Sequence, residues 1–559
     1  MAKFLPPRLQ VGKTWRKWLS RQRLGLFCFC LILTVGCRQW FEAPQPSPTP
    51  SPSQAAITST ISLGTTAKIR TLDPSDAYQV FTGNLLYNLG DCLYAYKDGG
   101  TELVPQLATA MPQVSENGLE YTIPLRKDVV FHDGTPFDAK AMAFSLQRFL
   151  DNGGQPSFLL SDTVEKVDAS ASHQLKIRLK KPFVAFPSLL SFSGLAAVSP
   201  QAYANQVDSF QPSTFVGTGP YRLVSDTLDS LELESFAQYW GNKPQNRSVT
   251  IKRYANAANL FNAFRTGDVN IAYQSLNPNQ VQILVKTAEE TLSWKAISGK
   301  GSNITYLSLN LRDAPLNQIN VRQAIALVID RQDLQNQVLN NQVEPLYSLI
   351  PNIYPESKSV FRTPAALDPT AQAKEKLKEA GYSKDNRVKI TFGYRSNVPS
   401  DEPAAQRIKS AIEKQLGGMV EVDLEGVESA DAYVSQNQGR YSMFMLDYTG
   451  DYYDPDTYIQ PFLDCSQGSE EEGCEAGSSV VQGSFYYRDR INQLIDQERQ
   501  SKDRKQRQQI FAEIQDILAK DVPYIPLWQR REYVFAQNNI EGIQLDPTQH
   551  FPFWPLHKS

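Results

Sequence analysis

Histidine is nearly absent from this 559-residue chain, which has only His132, His173, His550 and His557. No His-Glu-x-x-His pattern occurs, which removes the zinc-peptidase helix, and four scattered imidazoles make a histidine-based triad hard to assemble. No Gly-x-Ser-x-Gly elbow is present either. Cysteine is also scarce, with six in all, and none is placed in a metal-binding Cys-x-x-Cys or beside a histidine. After Ile57 there is no second long apolar run, no low-complexity tract and no internal repeat. Positive charge is lacking in the body of the chain. The formal charge of −3 includes seven basic groups before residue 24 (Lys3, Arg8, Lys13, Arg16, Lys17, Arg21, Arg23), so the remainder stands at −10. So acidic a body is a poor nucleic-acid binder, because phosphate neutralisation supplies most non-specific affinity. Paired carboxylates carry no catalytic weight here without geometry, given 59 acidic residues.

With 41% hydrophobic and 21% charged residues, the chain has an ordinary globular composition and length for two to four core-bearing units. Its N-terminus reads as an address. The basic stretch leads into the apolar run Leu24–Val35, too short to span about 30 Å of hydrocarbon as a helix but of signal-peptide length. Leu33-Thr-Val-Gly-Cys37 resembles a bacterial lipobox, in which Cys37 would be acylated and become the first residue. The alternative is an uncut signal anchor. Five prolines in Pro44-Gln-Pro-Ser-Pro-Thr-Pro-Ser-Pro52 forbid helix and sheet and favour an extended spacer of about 3 Å per residue. Residues 1–36 are therefore expected to be a signal peptide, and 37–56 a lipidated cysteine with its linker. Of the cysteines outside these segments, Cys465 and Cys474 bracket a short acidic loop and are expected to form a disulfide after export. Cys92, in Leu-Gly-Asp-Cys-Leu-Tyr, reads as a buried free thiol.

The body mixes strand and helix patterns. Strands are expected at Ser59–Gly64, Tyr121–Arg126, Leu175–Lys180 and Lys389–Tyr394. Helices are expected at Asn84–Leu93, Asp138–Leu150, Asn320–Leu339, Asp368–Ala380, Pro403–Leu416 and Ile491–Lys520. In Gly217-Thr-Gly-Pro-Tyr the reading leaves Gly219 free to take positive φ. The fold class is mixed α/β (α+β), with at least two sheets.

Several segments, in order, resemble the extracellular solute-binding proteins of the peptide/nickel class that serve ABC importers. They are Leu72-Asp-Pro, Val104-Pro-Gln-Leu-Ala108, Leu119-Glu-Tyr-Thr-Ile-Pro-Leu-Arg126 and Val130-Phe-His-Asp-Gly-Thr-Pro-Phe137. Phe144-Ser-Leu-Gln-Arg148, Gly217-Thr-Gly-Pro-Tyr-Arg-Leu223, Tyr239-Trp-Gly241 and Phe264-Arg-Thr-Gly-Asp-Val-Asn-Ile271 follow, and then Val321-Arg-Gln-Ala-Ile and Asp521-Val-Pro-Tyr-Ile-Pro-Leu527. The resemblance covers most of residues 60–550. It implies two lobes closing by a hinge on a ligand, with an extra small subdomain inserted in lobe I. Lobe I would comprise 57–96, 187–300 and 525–559, the insert 97–186, and lobe II 301–524. The implied function is capture of a peptide or peptide-like solute and its delivery to a membrane permease, by a monomer without cofactor or metal, exported and held to the cell membrane by lipid. A lipoprotein receptor or chaperone on the same scaffold, a binder of a sugar, opine or metal chelate, and a secreted hydrolase are the alternatives.

The most informative polar stretch is Asp447-Tyr-Thr-Gly-Asp-Tyr-Tyr-Asp-Pro-Asp-Thr-Tyr458, where four aspartates interleave with four tyrosines. In peptide-binding members of the family, an aspartate in this context pairs with the ligand's α-ammonium, and Asp451 matches it. Tyr448 stands where dipeptide binders carry Trp and would wall the pocket. Asp454 is a further ligand candidate, and Arg395 resembles the position of a carboxylate-gripping arginine in some short-peptide binders. Asp451 and Asp454 are equally the residue type that closes a turn or caps a helix. If Cys37 is the anchor, Cys37→Ser will release the body from membranes or stall precursor processing. A variant still membrane-bound and cleaved at the same place would contradict the assignment.

Overall fold

The computed structural model describes residues 59–97, 99–203, 209–364, 366–548 and 550–559. The expected signal peptide, Cys37 and the proline-rich linker lie outside them. Eleven strands form one sheet. Two long antiparallel strands, Trp294–Leu309 and Tyr524–Gln537, run through its middle. Trp294–Lys300 pairs with Gln537–Arg531, the register then shifts between Lys300 and Ile304, and Ile304–Ser308 pairs with Gln529–Tyr524. On one flank lie Ile271–Tyr273, Thr60–Thr65, Ser248–Arg253, Ser230–Ser235 and Tyr221–Asp226. On the other lie Met443–Tyr448, Val388–Arg395 and Val420–Val427.

Each flank has its own core. Ile61, Leu63, Val249, Ile251, Val534 and Ala536 pack together on the first. Leu307, Leu309, Ile390, Phe392, Met443, Ile525 and Trp528 pack on the second. The strand Tyr524–Gln537 thus serves both. A third core belongs to a four-stranded antiparallel sheet, Gln113–Val114, Glu120–Pro124, Gln174–Leu179 and Val164–Ala171, covered by the helix Ala139–Asp151. In Gln174–Leu179 the apolar alternation works as expected, with Leu175, Ile177 and Leu179 all buried. The helix opens on Asp138, whose carboxylate accepts from the Ala141 N–H at 2.9 Å.

Two expected long helices are each broken in two. Asn320–Leu339 divides into Ile319–Val328 and Arg331–Gln337, because Ile329 and Asp330 are extended and Asp330 caps the N–H groups of Gln332 and Asp333. The break also lets the buried Arg331 donate to the carbonyls of Leu346 and Pro526. Ile491–Lys520 divides into Asp489–Gln500 and Arg504–Asp521, with Asp503 capping the second. The first expected helix lies earlier than its apolar spacing indicated, at Val80–Leu89. Gly219 does not take positive φ. A side chain is excluded there for another reason: its Cβ would sit 2.4 Å from the Leu89 carbonyl carbon, and its N–H donates to the Leu89 oxygen at 3.0 Å.

Cys465 and Cys474 are joined by a disulfide that ties the residue before the ladder of Gln467–Ser469 with Gly473–Ala476 to its second strand. Cys92 is a buried free thiol facing the Phe192 carbonyl at 3.2 Å, and burial raises its pKa well above the ordinary thiol range.

Asp73, from Leu72-Asp-Pro, and Arg148, at the end of Phe144-Ser-Leu-Gln-Arg148, meet as a buried bidentate pair at 2.7 and 2.6 Å. Asp73 also accepts from the Gln211 and Ser75 N–H groups. Breaking such a pair leaves an uncompensated buried charge, so Arg148→Met should cost about 3–5 kcal/mol. A fall in the denaturant midpoint is the readout, and an unchanged midpoint would show that the pair contributes nothing.

Candidate ligand-binding cleft

The cleft is built from the strand Met443–Tyr448 outward. Its register against Trp294–Leu309 sets Tyr448 opposite Ile304 and Asp447 opposite Thr305. The chain then turns through Thr449–Tyr453 into the short 3-10 helix Pro455–Tyr458. The buried residues of that helix fix the turn. The Tyr458 hydroxyl accepts from the Gly450 N–H at 3.1 Å and donates to the Ser302 carbonyl at 2.7 Å. Thr457 Oγ1 accepts from the Asp451 N–H at 3.1 Å. Only glycine fits at 450, since a Cβ would lie 2.5 Å from Thr457 Cγ2. Beneath the turn, Phe462 makes edge contacts with Tyr448, Tyr306 and Tyr524 at centroid separations of 5.0–5.4 Å.

The wall this turn forms borders a cavity of 1830 Å³, with the other walls drawn from Ala77–Asn84, Phe158–Thr163, Lys180–Phe183 and Leu189–Ser193. The two sides touch at several points. Tyr96 donates its hydroxyl to the Tyr453 carbonyl and accepts from the Tyr453 N–H, both at 3.2 Å. The Val184 N–H donates to the Arg499 carbonyl at 2.7 Å, and the Arg499 guanidinium lies 4.0 Å over the Phe183 ring. Lys181 and Asp496 face each other at 3.7 Å.

Asp451 and Tyr448 both line the cavity. Tyr448 donates to Asp451 Oδ2 at 3.1 Å, and Tyr78 hydrogen-bonds the same carboxylate from the opposite wall. Among the described residues no basic side chain forms an ion pair with Asp451. Burial pushes its pKa up to about 6, with the two tyrosine hydroxyls opposing the rise.

The structure places the other two candidates elsewhere. Asp454 does not line the cavity. Its oxygens accept from Arg507 at 2.7 and 2.6 Å and cap the Asp456 N–H, so it is a cap and ion-pair residue. Behind it, Arg507 also meets Glu498 at 2.8 Å, and Tyr452 donates to Asp456 at 2.7 Å. Burial and the neighbouring Asp456 hold the Glu498 carboxyl well above its usual range. Arg395 is absent from the cavity wall too. It ends the strand Val388–Arg395 with its side chain buried, donating from Nε to Asp401 at 2.9 Å and from Nη1 to Asp447. Sequence reasoning missed Asp447, Tyr78, Tyr96 and Arg499. Asp447 stood within the informative stretch, but only the fold shows it paired with Arg395. Among the described residues no group of three or more His, Cys, Asp or Glu is placed to hold a metal ion. No helix among them is long and apolar enough to cross a membrane.

A large cleft between two packed sides, walled by aromatic rings and carrying in Asp451 a desolvated carboxylate without an ion pair among the described residues, is the geometry of a solute-binding protein. Comparison with known proteins gives the family. Residues 102–470 match the bacterial extracellular solute-binding proteins, family 5 middle region, and the chain belongs to that family. It is 26% identical over 494 residues to the probable D,D-dipeptide-binding periplasmic protein DdpA of Escherichia coli K12, covering 87% of this chain and 91% of DdpA. It is also 26% identical over 493 residues to the glutathione-binding protein GsiB of the same strain, covering 86% of this chain and 91% of GsiB. Among solved structures, the periplasmic binding protein DppA of Helicobacter pylori, in complex with the peptide STSA, superposes with a TM-score of 0.73. That match covers 91% of this chain and all of DppA at 23% identity, and it places the fold among the two-lobed periplasmic binding proteins.

The Asp451 carboxyl has its pKa raised by folding, so the native state holds the proton more tightly than the unfolded chain. Its contribution to the stability of the unliganded protein is therefore largest below the unfolded value and falls as pH rises to about 6. Asp451→Asn should stabilise the empty protein above pH 6, by at most about 3 kcal/mol for a shift of roughly two pH units. Thermal melts of wild type and variant from pH 4 to 8 should diverge as pH rises. Parallel curves would show that the carboxylate is not strained.

Proposed function

We propose that this protein captures a peptide or peptide-like solute in the cleft and delivers it to the membrane permease of an ABC importer. The observation that carries the reading is Asp451, a carboxylate facing the cavity with only tyrosine hydroxyls and a backbone pin around it. A buried carboxylate is costly alone and favourable once a cation neutralises it, so the site selects a solute with an ammonium group. Family membership supports the transport role. The relatives named for a D,D-dipeptide and for glutathione support a peptidic cargo. The cavity exceeds the roughly 300–1,000 Å³ of pockets for drug-sized molecules, so it has room for several residues. On this reading the protein acts outside the cytoplasm, and the lipid anchor at Cys37 and the proline-rich spacer hold it near its permease.

Native mass spectrometry of gently purified protein would identify retained cargo, and titration calorimetry with it tests the role of Asp451. Asp451→Asn keeps the shape and removes the charge. Affinity should fall on the order of 10²–10³-fold, since breaking a largely buried charge pair costs about 3–5 kcal/mol. Acetylating the cargo's amine should weaken wild-type binding similarly, and the two changes together should be less than additive. Tyr448→Ala should cost less. Unchanged affinity in Asp451→Asn would make Asp451 a turn residue.

A further inference from the structure

Asp447 lies four residues before Asp451 and lines the same cavity, yet its electrostatic setting is the opposite. Asp451 has no cationic partner among the described residues, whereas Asp447 has two. Arg395 Nη1 donates to its Oδ1, and Arg530 Nη2 lies 3.8 Å from its Oδ2. Despite burial, Arg395 and then Arg530 hold the Asp447 carboxyl below its ordinary range. Asp401 occupies Arg395 Nε. Two acids and two guanidiniums thus balance, and Asp447 is the member of the group that reaches the cavity wall.

The consequence for a ligand is directional. Arg395 is 5% exposed at its side chain and does not line the cavity, while Asp447 is 21% exposed and does. A ligand carboxylate moving toward Arg395 meets the Asp447 carboxylate and the Tyr433 hydroxyl, the two groups beside Arg395 that line the cavity. The other cations of the lining have contacts of their own, although Lys180 and Lys181 stay exposed. Lys180 donates to the Ser161 carbonyl at 2.6 Å, Lys181 faces Asp496 at 3.7 Å, and Arg499 faces Asp456 at 3.9 Å while lying over Phe183. Moving a ligand carboxylate into this wall would set like charges together in a partly desolvated place, whereas an amide N–H or an amine could donate to Asp447.

We propose that Asp447 fills, from within the chain, the place a ligand carboxylate would take against Arg395. The cleft thereby selects solutes that carry an ammonium for Asp451 and a neutral or cationic donor, not a free carboxylate, at Asp447. Four Cα-to-Cα steps join the two aspartates, so their Cα atoms are at most about 14 Å apart, the reach of a two- to four-residue solute. This specificity rests on the reading of Asp451 as the ammonium partner.

The probes are synthetic di-, tri- and tetrapeptides in matched free-acid and C-terminal amide forms, each with a free and an acetylated amine, titrated into the processed wild-type protein and two variants. Wild type should bind the amides at least about tenfold more tightly than the acids. Asp447→Ala, which uncovers Arg395, should cancel or reverse that preference. Asp447→Asn, which keeps an acceptor for Arg395 but removes the charge, should narrow it, and decides the matter if the alanine variant does not fold. Equal binding of acids and amides by wild type, or a ratio unchanged in the folded variants, would overturn the proposal. Binding lost on acetylation but indifferent to the C-terminus would overturn it while leaving the Asp451 reading intact. Binding of none of the probes would overturn both.

Discussion

A carboxylate kept in a cleft without a counter-cation is the constraint on which the rest of this site depends. Desolvation works against the charge on Asp451, and an unconstrained side chain would turn toward water or toward a basic neighbour. The chain offers it no basic neighbour among the described residues and fixes its backbone. Its N–H is held by Thr457, the preceding glycine is packed against the same side chain, and Tyr458 ties the turn to Ser302 on the long strand Trp294–Leu309. The aromatic layer below, built from Phe462, Tyr306 and Tyr524, is part of a buried core, so the turn rests on packing that would have to be disrupted before Asp451 could move. The two tyrosine hydroxyls lower the cost of the charge without neutralising it. What the fold leaves uncompensated, a ligand can complete.

The long strands explain how one turn can face a wall built by a distant part of the sequence. Tyr524–Gln537 carries one core at each end, Trp294–Leu309 joins the second through Leu307 and Leu309, and the register shift between Lys300 and Ile304 separates the two pairings. Ser302 and Asn303, at that shift, line the cavity themselves. The contacts across the cleft include Tyr96 on the Tyr453 backbone, Tyr78 on the Asp451 carboxylate, Val184 on the Arg499 carbonyl and Phe183 under the Arg499 guanidinium. These contacts join sides that each have a hydrophobic core of their own.

Much of the fold was legible because its signals are local. Alternation marked Gln174–Leu179, and Asp138 and Asp368 announced the helices they cap. The same kind of signal was overlooked inside the two long helical patterns. Asp330 and Asp503 are also caps, and an apolar stripe that runs past an aspartate does not show which of the two wins. Gly219 was recognised as a required glycine for the wrong reason, since close approach of the Leu89 backbone cannot be read from neighbouring residues. The site divides in the same way. The turn carrying Asp451 and Tyr448 is continuous in sequence and could be picked out. Tyr78, Tyr96 and Arg499 come from distant segments with no motif of their own.

The segment 447–458 shows why composition alone could not assign its aspartates. All four are close in sequence, and three are compensated by the chain itself: Asp447 by Arg395 and Arg530, Asp454 by Arg507, Asp456 by Arg499 and the Tyr452 hydroxyl. Those arginines lie between 43 and 83 residues away from their partners, so nothing local tells a structural aspartate from a receptive one. The distinction is one of charge balance in three dimensions. It also fixes what each can do. An aspartate whose guanidinium is supplied by the fold adds rigidity and repels a second anion, whereas one left with hydroxyl donors alone gains most when a cation arrives. On the proposed reading, placing both kinds on one cavity wall, four residues apart, would let a single strand and turn attract one end of a solute and restrict the other.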